Sequence, residues 1–333
     1  MNIKFAWLVS GTRHLKSQIP SLRSVAYRCL TYSCPTTQQQ SKIQNLKFQI
    51  DFVGIGASKS GTTWLGHALE EHPQLCMAEP KEVNYFNEIH AFRTSVKPNF
   101  HRGINWYRKF FNHCSSGQLK GEITNYYGID PLAAARIKEH NPDSKILFCM
   151  RNPVDRIWSH YQFAKFFERK ENRPIEQAVH EEPQYLRMSD YFQTLSLYHQ
   201  HFSRDQIFLI WFEDIQNRPA ELLHEVFLFL KVDPAFQPKK IHKKSNPARV
   251  SRSAALQKII RHIKLALIGL GLSGLLKKIK MAGLGDFVMK MSSRTLPKTP
   301  IPGEIKNYIL SEFHEDIIKL EKLTGKDLSH WRM

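Results

Sequence analysis

The stretch F-Q-I-D-F-V-G-I-G-A-S-K-S-G-T-T-W-L (48–65) constrains the fold more than any other part of this 333-residue chain. Its first eight residues read as a buried strand. A loop with Gly54, Gly56 and Gly61 follows, and Thr62 to Glu71 reads as a helix with Leu65 and Leu69 four apart. A strand that feeds a glycine-rich loop and a helix start makes an anion site. Backbone N–H groups converge there, and the helix dipole adds partial positive charge. Lys59 lies inside the loop, Ser60 follows it, and Thr62 and Thr63 add hydroxyl donors at the helix start. The ATP-binding pattern G-x-x-x-x-G-K-[ST] is nevertheless absent. Lys59 comes two residues before Gly61, and no lysine follows that glycine. The loop keeps a phosphate cradle but moves the charge. That weakens an ATP or GTP phosphotransferase reading, and it lowers the need for Mg²⁺.

The same alternation continues. C-M-A (76–78) reads as a short strand, K-I-L-F-C-M (145–150) and I-F-L-I-W (207–211) as buried strands. Asn152 suits an N-cap and Pro153 the first helical position, so a long helix is expected to run to about Phe167. Helices are also expected from Ala220 to Leu230 and from Glu304 to Leu323, with Gly325 as a stop. Strands alternating with helices predict an α/β fold of three layers, P-loop-like, with a mostly parallel central sheet flanked by helices. The aromatic stretch 87–120 reads as core or as the base of a lid.

Charge is the unusual part of the composition: 48 Lys and Arg against 30 Asp and Glu give +18. No acidic residue occurs in 1–50 or in 234–285, and the second stretch carries twelve Lys and Arg. Such a field favours anionic partners. Residues 1–47 read as a basic, poorly ordered extension and 48–333 as the working domain. Leu256 to Lys280 reads as a basic amphipathic helix, able to pack on its own protein or to touch a membrane peripherally. No apolar run is long enough for a conventional span. The five scattered cysteines (Cys29, Cys34, Cys76, Cys114, Cys149) form no C-x-x-C pair. They suggest no disulfide framework and no zinc site, and hence a reducing, cytoplasmic setting, with Cys149 as a buried thiol.

A second motif narrows the anion. In R-N-P-V-D-R-I-W-S-H-Y (151–161) an arginine ends a strand and a serine follows eight residues later in the next helix. Arginine offers a forked, charge-assisted contact to phosphate, and serine adds a hydroxyl. Together, K-S-G-T-T-W-L (59–65) and this segment resemble the sulfotransferases that use 3′-phosphoadenosine 5′-phosphosulfate (PAPS), above all the bacterial-type domain related to the heparan sulfate enzymes. The resemblance runs from about Phe48 to the C-terminal L-E-K-L-T-G-K-D-L-S-H-W (320–331). It implies that Lys59, Ser60, Gly61, Thr62 and Thr63 hold the 5′-phosphosulfate, that Arg151 and Ser159 hold the 3′-phosphate, and that Trp64 packs against adenine. Arg249 and Arg252 fall where a basic loop closes over the nucleotide. In E-V-N-Y-F (82–86), Glu82 matches the base of the heparan sulfate branch, and Lys59 would neutralise the departing phosphate. No metal and no nucleic acid are implied. One departure is that Ile123 and Asn125 stand where that branch often has lysine and proline, which puts heparan-type acceptor recognition in doubt. Sugar, lipid and small-molecule hydroxyls or amines all remain open as acceptors. The rival readings are a P-loop phosphotransferase, which would need Mg²⁺ and ATP, and a basic non-enzymatic module for membrane or nucleic acid.

Overall fold

Strand β1 (Phe52–Gly56) is buried along its whole length and lies in the middle of a five-stranded sheet. The computed structural model describes residues 48–90, 97–239, 241, 249–251, 293–295 and 299–333. After β1 come α1 (Thr62–Glu71), β2 (Leu75–Met77), β3 (Leu119–Ile123), α2 (Ala133–His140), β4 (Lys145–Met150) and α3 (Pro153–Gln162). Then follow α4 (Tyr191–His199), β5 (Ile207–Trp211), α5 (Pro219–Leu230), the paired short strands β6 (Arg249–Ser251) and β7 (Ser293–Thr295), and α6 (Gly303–Thr324). All these elements belong to a unit that runs from Gln49 to Met333.

The sheet order is β2-β3-β1-β4-β5, and every pair is parallel. From β1 the chain moves outward to β2 and β3 on one side, then crosses to β4 and β5 on the other. Ligands in open α/β sheets bind at such a reversal, beyond the carboxyl ends of the strands. The loop after β1 lies there. Register is set by large side chains over small ones. Phe52 pairs with Gly121, and Gly54 with Ile123. A Cβ on Gly121 would fall 2.1 Å from the Phe52 ring, and one on Gly54 2.6 Å from Ile123 Cγ1. One face of the sheet, with Phe52, Ile123, Leu147 and Ile210, packs against Leu65 and Leu69 of α1 and Leu222, Val226 and Leu230 of α5.

The helical run that starts at Pro153 ends at Phe167, as expected, but only α3 to Gln162 is α-helical; Phe163–Phe167 form a π-helical turn, because Glu168 N–H bonds the Phe163 carbonyl at 3.0 Å. One expectation needs correction. Cys76 and Cys114 form a disulfide with Cα atoms 5.6 Å apart. They are 38 positions apart, and only the fold brings β2 against the turn after Phe111. The ground for expecting a reducing compartment is therefore removed. Cys149 is a buried free thiol, as expected. Among the described residues no helix is long and apolar enough to cross a membrane. The proposed helix 256–280 lies outside the described residues.

Candidate active site

The loop between β1 and α1 closes on itself. Ala57 N–H bonds the Cys149 carbonyl at 2.7 Å, which ties it to β4, and Ser60 N–H bonds the Ala57 carbonyl at 3.2 Å. Gly61 caps α1 with φ 96°, a left-handed conformation that costs glycine little. A Cβ there would also lie 2.3 Å from Ile215 Cδ1. Lys59 adopts φ 70° without being glycine, a strained conformation that points to a functional demand. Its ammonium lies 3.8 Å from the centre of the Phe163 ring, on the π-helical turn. No carboxylate among the described residues forms an ion pair with it. Burial pushes its pKa down to about 8, with Glu168 opposing the shift and Arg151 and Arg156 adding to it.

Arg151, at the end of β4, meets this loop. Its Nη1 donates to the Lys59 carbonyl at 3.4 Å, and its guanidinium lies 4.4 Å from the centre of the Phe212 ring. Asp155, exposed, touches Nη2 at 3.3 Å. The Arg151 Nε is buried and makes no hydrogen bond. A buried donor without a partner costs about 1–3 kcal/mol, so this nitrogen fits an anion that arrives from solution. The backbone of Arg151 is fixed by Tyr191 of α4, whose hydroxyl donates to the Arg151 carbonyl at 2.8 Å. Tyr191 packs in turn on the buried Trp331, whose Nε1 donates to Glu213 at 2.9 Å. Glu213 thus anchors the C-terminal segment at a helix entry. Asn152 caps α3 by accepting from Val154 and Asp155 N–H, as expected, and Ser159 lies half-buried on that helix.

Arg156, on the same helix, is fully buried. It donates to Ser189 Oγ and to the Tyr185 carbonyl, and its Nη1 lies 3.4 Å from His160 Nδ1. All three partners lack negative charge, so the positive charge is uncompensated by any described carboxylate.

Glu82, half-buried, lies in a segment after β2, with φ 64°. Asn125 Nδ2 donates to its Oε1 at 2.7 Å. Burial raises its pKa, while Lys81, the Asn125 hydrogen bond and Lys59 oppose the rise. Lys81 turns back toward α1, with its Nζ 3.5 Å from Thr62 Oγ1. Below them lies Glu122, fully buried on β3. It accepts from Tyr107 at 2.5 Å, Tyr127 at 2.8 Å and Thr124 at 3.0 Å. Tyr107 stacks on Tyr85 with centroids 4.4 Å apart, so part of the aromatic stretch is core, as expected.

The structure thus brings together the loop 57–62, Lys59, Arg151 and Glu82. Trp64 is buried in the main core and donates to the Ile241 carbonyl at 2.9 Å. Arg249 falls in β6, and Arg252 lies outside the described residues. Lys81 and Arg156 are two charged residues of this region that the motifs in the sequence did not single out. Asn125 stood out only for the proline it replaces. Its place in the polar run E-I-T-N-Y-Y (122–127), which starts at Glu122, was the available signal. Among the described residues, Cys76, His113 and Cys114 are the one close group of potential metal ligands, and two of them form the disulfide.

A parallel sheet with a glycine-rich loop at its point of reversal, and cations on aromatic faces beside that loop, is the arrangement of a P-loop-like α/β fold. A sulfotransferase domain profile matches residues 49–264, well over half of the chain, and the chain belongs to that family. It is 34% identical over 140 residues to the membrane-associated sulfotransferase kil1 of Dictyostelium discoideum, covering 40% of this chain and 28% of that protein. It is 29% identical over 210 residues to the bifunctional heparan sulfate N-deacetylase/N-sulfotransferase 1 of Xenopus laevis, covering 56% of this chain and 23% of that one. The chain therefore spans about a quarter of the length of these relatives. A sulfotransferase from Alicyclobacillus acidocaldarius shares the fold, with a TM-score of 0.63 at 20% identity, over 86% of this chain and 100% of that one.

Proposed function

We propose that the chain transfers a sulfuryl group from PAPS to a hydroxyl or amine, with Lys59 and Glu82 on either side of the reacting sulfur. The observation that carries this reading is the juxtaposition of Lys59 and Arg151. Their ammonium and guanidinium lie against Phe163 and Phe212, and Arg151 Nε is left without a partner. Two phosphates linked through one nucleoside match two cationic centres joined by the Arg151–Lys59 contact. Lys59, Ser60, Gly61, Thr62 and Thr63 would take the 5′-phosphosulfate, and Arg151 with Ser159 the 3′-phosphate. The buried charge of Arg156 adds to the field that favours a donor of this charge.

In the transfer, the acceptor oxygen or nitrogen forms a bond to sulfur and gives its proton to Glu82. The bond from sulfur to the bridging oxygen breaks, and its electron pair stays on the 5′-phosphate beside Lys59. The products are the sulfated acceptor and adenosine 3′,5′-bisphosphate. Burial raises the pKa of Glu82 against the pull of Lys81, the Asn125 amide and Lys59, and a raised pKa suits a general base. Fixed cations at the leaving oxygen stabilise charge where it develops. No step calls for a metal. The disulfide favours a compartment that permits one, over the cytoplasm.

Labelled PAPS with a panel of carbohydrate, lipid and small-molecule acceptors tests the activity. Calorimetric titration with adenosine 3′,5′-bisphosphate tests the site. A chain that fails to bind this nucleotide would sink the proposal.

A further inference from the structure

We propose that Lys81 is a second cation on the 5′-phosphosulfate, reaching the start of α1 from the segment after β2. The inference rests on the donor site proposed above. Lys81 Nζ lies 3.5 Å from Thr62 Oγ1, and Thr62 is the first residue of α1. That helix start is where the loop directs its N–H groups, so an anion cradled there meets Lys81 as well as Thr62. Lys81 forms no ion pair with any described residue, and Thr62 is its one described hydrogen-bond partner. A half-buried ammonium with a neutral hydroxyl as its partner is poorly satisfied until an anion arrives. Its stem runs beside α1, since a Cβ on Gly66 would lie 4.0 Å from Lys81 Cε and 3.4 Å from Ile123 Cδ1. Burial also pulls its pKa down, and Glu82 next to it opposes the shift.

This places Lys59 and Lys81 on separate elements beside one anion, Lys59 from the loop and Lys81 from the wall that carries Glu82. Lys81 then has two effects. It binds the 5′ group of the donor, and its charge holds down the pKa of the neighbouring base, alongside Lys59 and the Asn125 hydrogen bond and against burial.

The test separates the two ends of the nucleotide. Calorimetry with adenosine 3′,5′-bisphosphate should show a Lys81→Met loss of about 10- to 100-fold, the range expected for a charge-assisted contact. Affinity for adenosine 3′-monophosphate, which lacks the 5′-phosphate, should stay within about twofold of wild type. Lys81→Arg should keep most of the bisphosphate affinity. Unchanged bisphosphate affinity in Lys81→Met, or equal loss for both nucleotides, would overturn the proposal. Should Lys81→Met fail to fold, reductive methylation of wild type read by peptide mass spectrometry gives the answer. The bisphosphate should protect Lys81 while the 3′-monophosphate leaves it reactive, and equal labelling in both would overturn the proposal. If wild type binds neither nucleotide, the sulfotransfer reading itself fails, which is a different outcome.

Discussion

Glu122, fully buried, and Glu82, half-buried, are two carboxylates on neighbouring parts of one wall, and the protein treats them differently. Glu122 has three hydroxyl donors from Tyr107, Tyr127 and Thr124 and no cation partner among the described residues. Its pKa is pushed up to about 7 by burial, against the pull of those hydroxyls. Glu82 has one amide donor, two lysines nearby and a left-handed backbone. Its second oxygen accepts no hydrogen bond from the described residues. A carboxylate with every lone pair engaged is a structural joint. One with a vacant oxygen beside cations can take a proton. Burial alone does not mark a base; the arrangement of donors does.

The largest test of this contrast is Glu82→Gln. It should lower kcat by about 10²- to 10⁴-fold, the usual range for a general base, and leave bisphosphate affinity within about twofold. An equal loss of turnover in Glu122→Gln, in a folded protein, would erase the distinction. Next in size is stability. Glu122 has its pKa raised from 4.5 to about 7, so the folded state holds its proton longer than the unfolded chain. The contribution is fully present below pH 4.5, falls as pH rises, and is gone above about 7. The span is on the order of 3 kcal/mol at 1.36 kcal/mol per pKa unit. Denaturant titrations at pH 5 and pH 8 should show wild type losing roughly this much more than Glu122→Gln.

On the cation side, Lys59 titrates near pH 8 in the free protein. A neutral lysine binds an anion poorly, so bisphosphate affinity should weaken as pH rises above 8, by up to about tenfold per unit. Lys59→Arg should flatten that dependence. The smallest effect is expected from Asn125→Ala. Loss of its hydrogen bond to charged Glu82 raises the Glu82 pKa further, and the acid limb of the pH–rate profile should move up by less than about one unit. A downward move would mean that Asn125 does not hold the charged form.

The parts of this contrast that were legible in the sequence are those built from local signals. Strands β4 and β5 stand out as unbroken apolar runs, and α1 and α3 by the glycine and the Asn-Pro that open them. Lys59 and Arg151 were legible because each sits at a strand end in a distinctive motif. Strand β3 was not, because L-K-G-E-I carries a lysine, a glycine and a glutamate in what becomes the interior of the sheet. It folds as a strand because the Phe52 ring occupies the space over Gly121 and distant hydroxyls satisfy Glu122. The same distance hid Lys81: nothing local says that its stem lies along α1 and not in water. The disulfide was hidden for a like reason, since its halves meet only after the wall has formed.

That disulfide also acts on a state that the folded structure does not display. It closes a loop between positions 38 apart, and this loop contains Lys81, Glu82 and the whole Tyr85–Tyr107 stack. In the chain-entropy account, such a link removes conformations from the unfolded ensemble worth about 3–5 kcal/mol. The segment that carries the proposed base is thus tethered to its aromatic backing even in a fully denatured molecule, and the oxidised chain has less freedom to lose when it orders that wall.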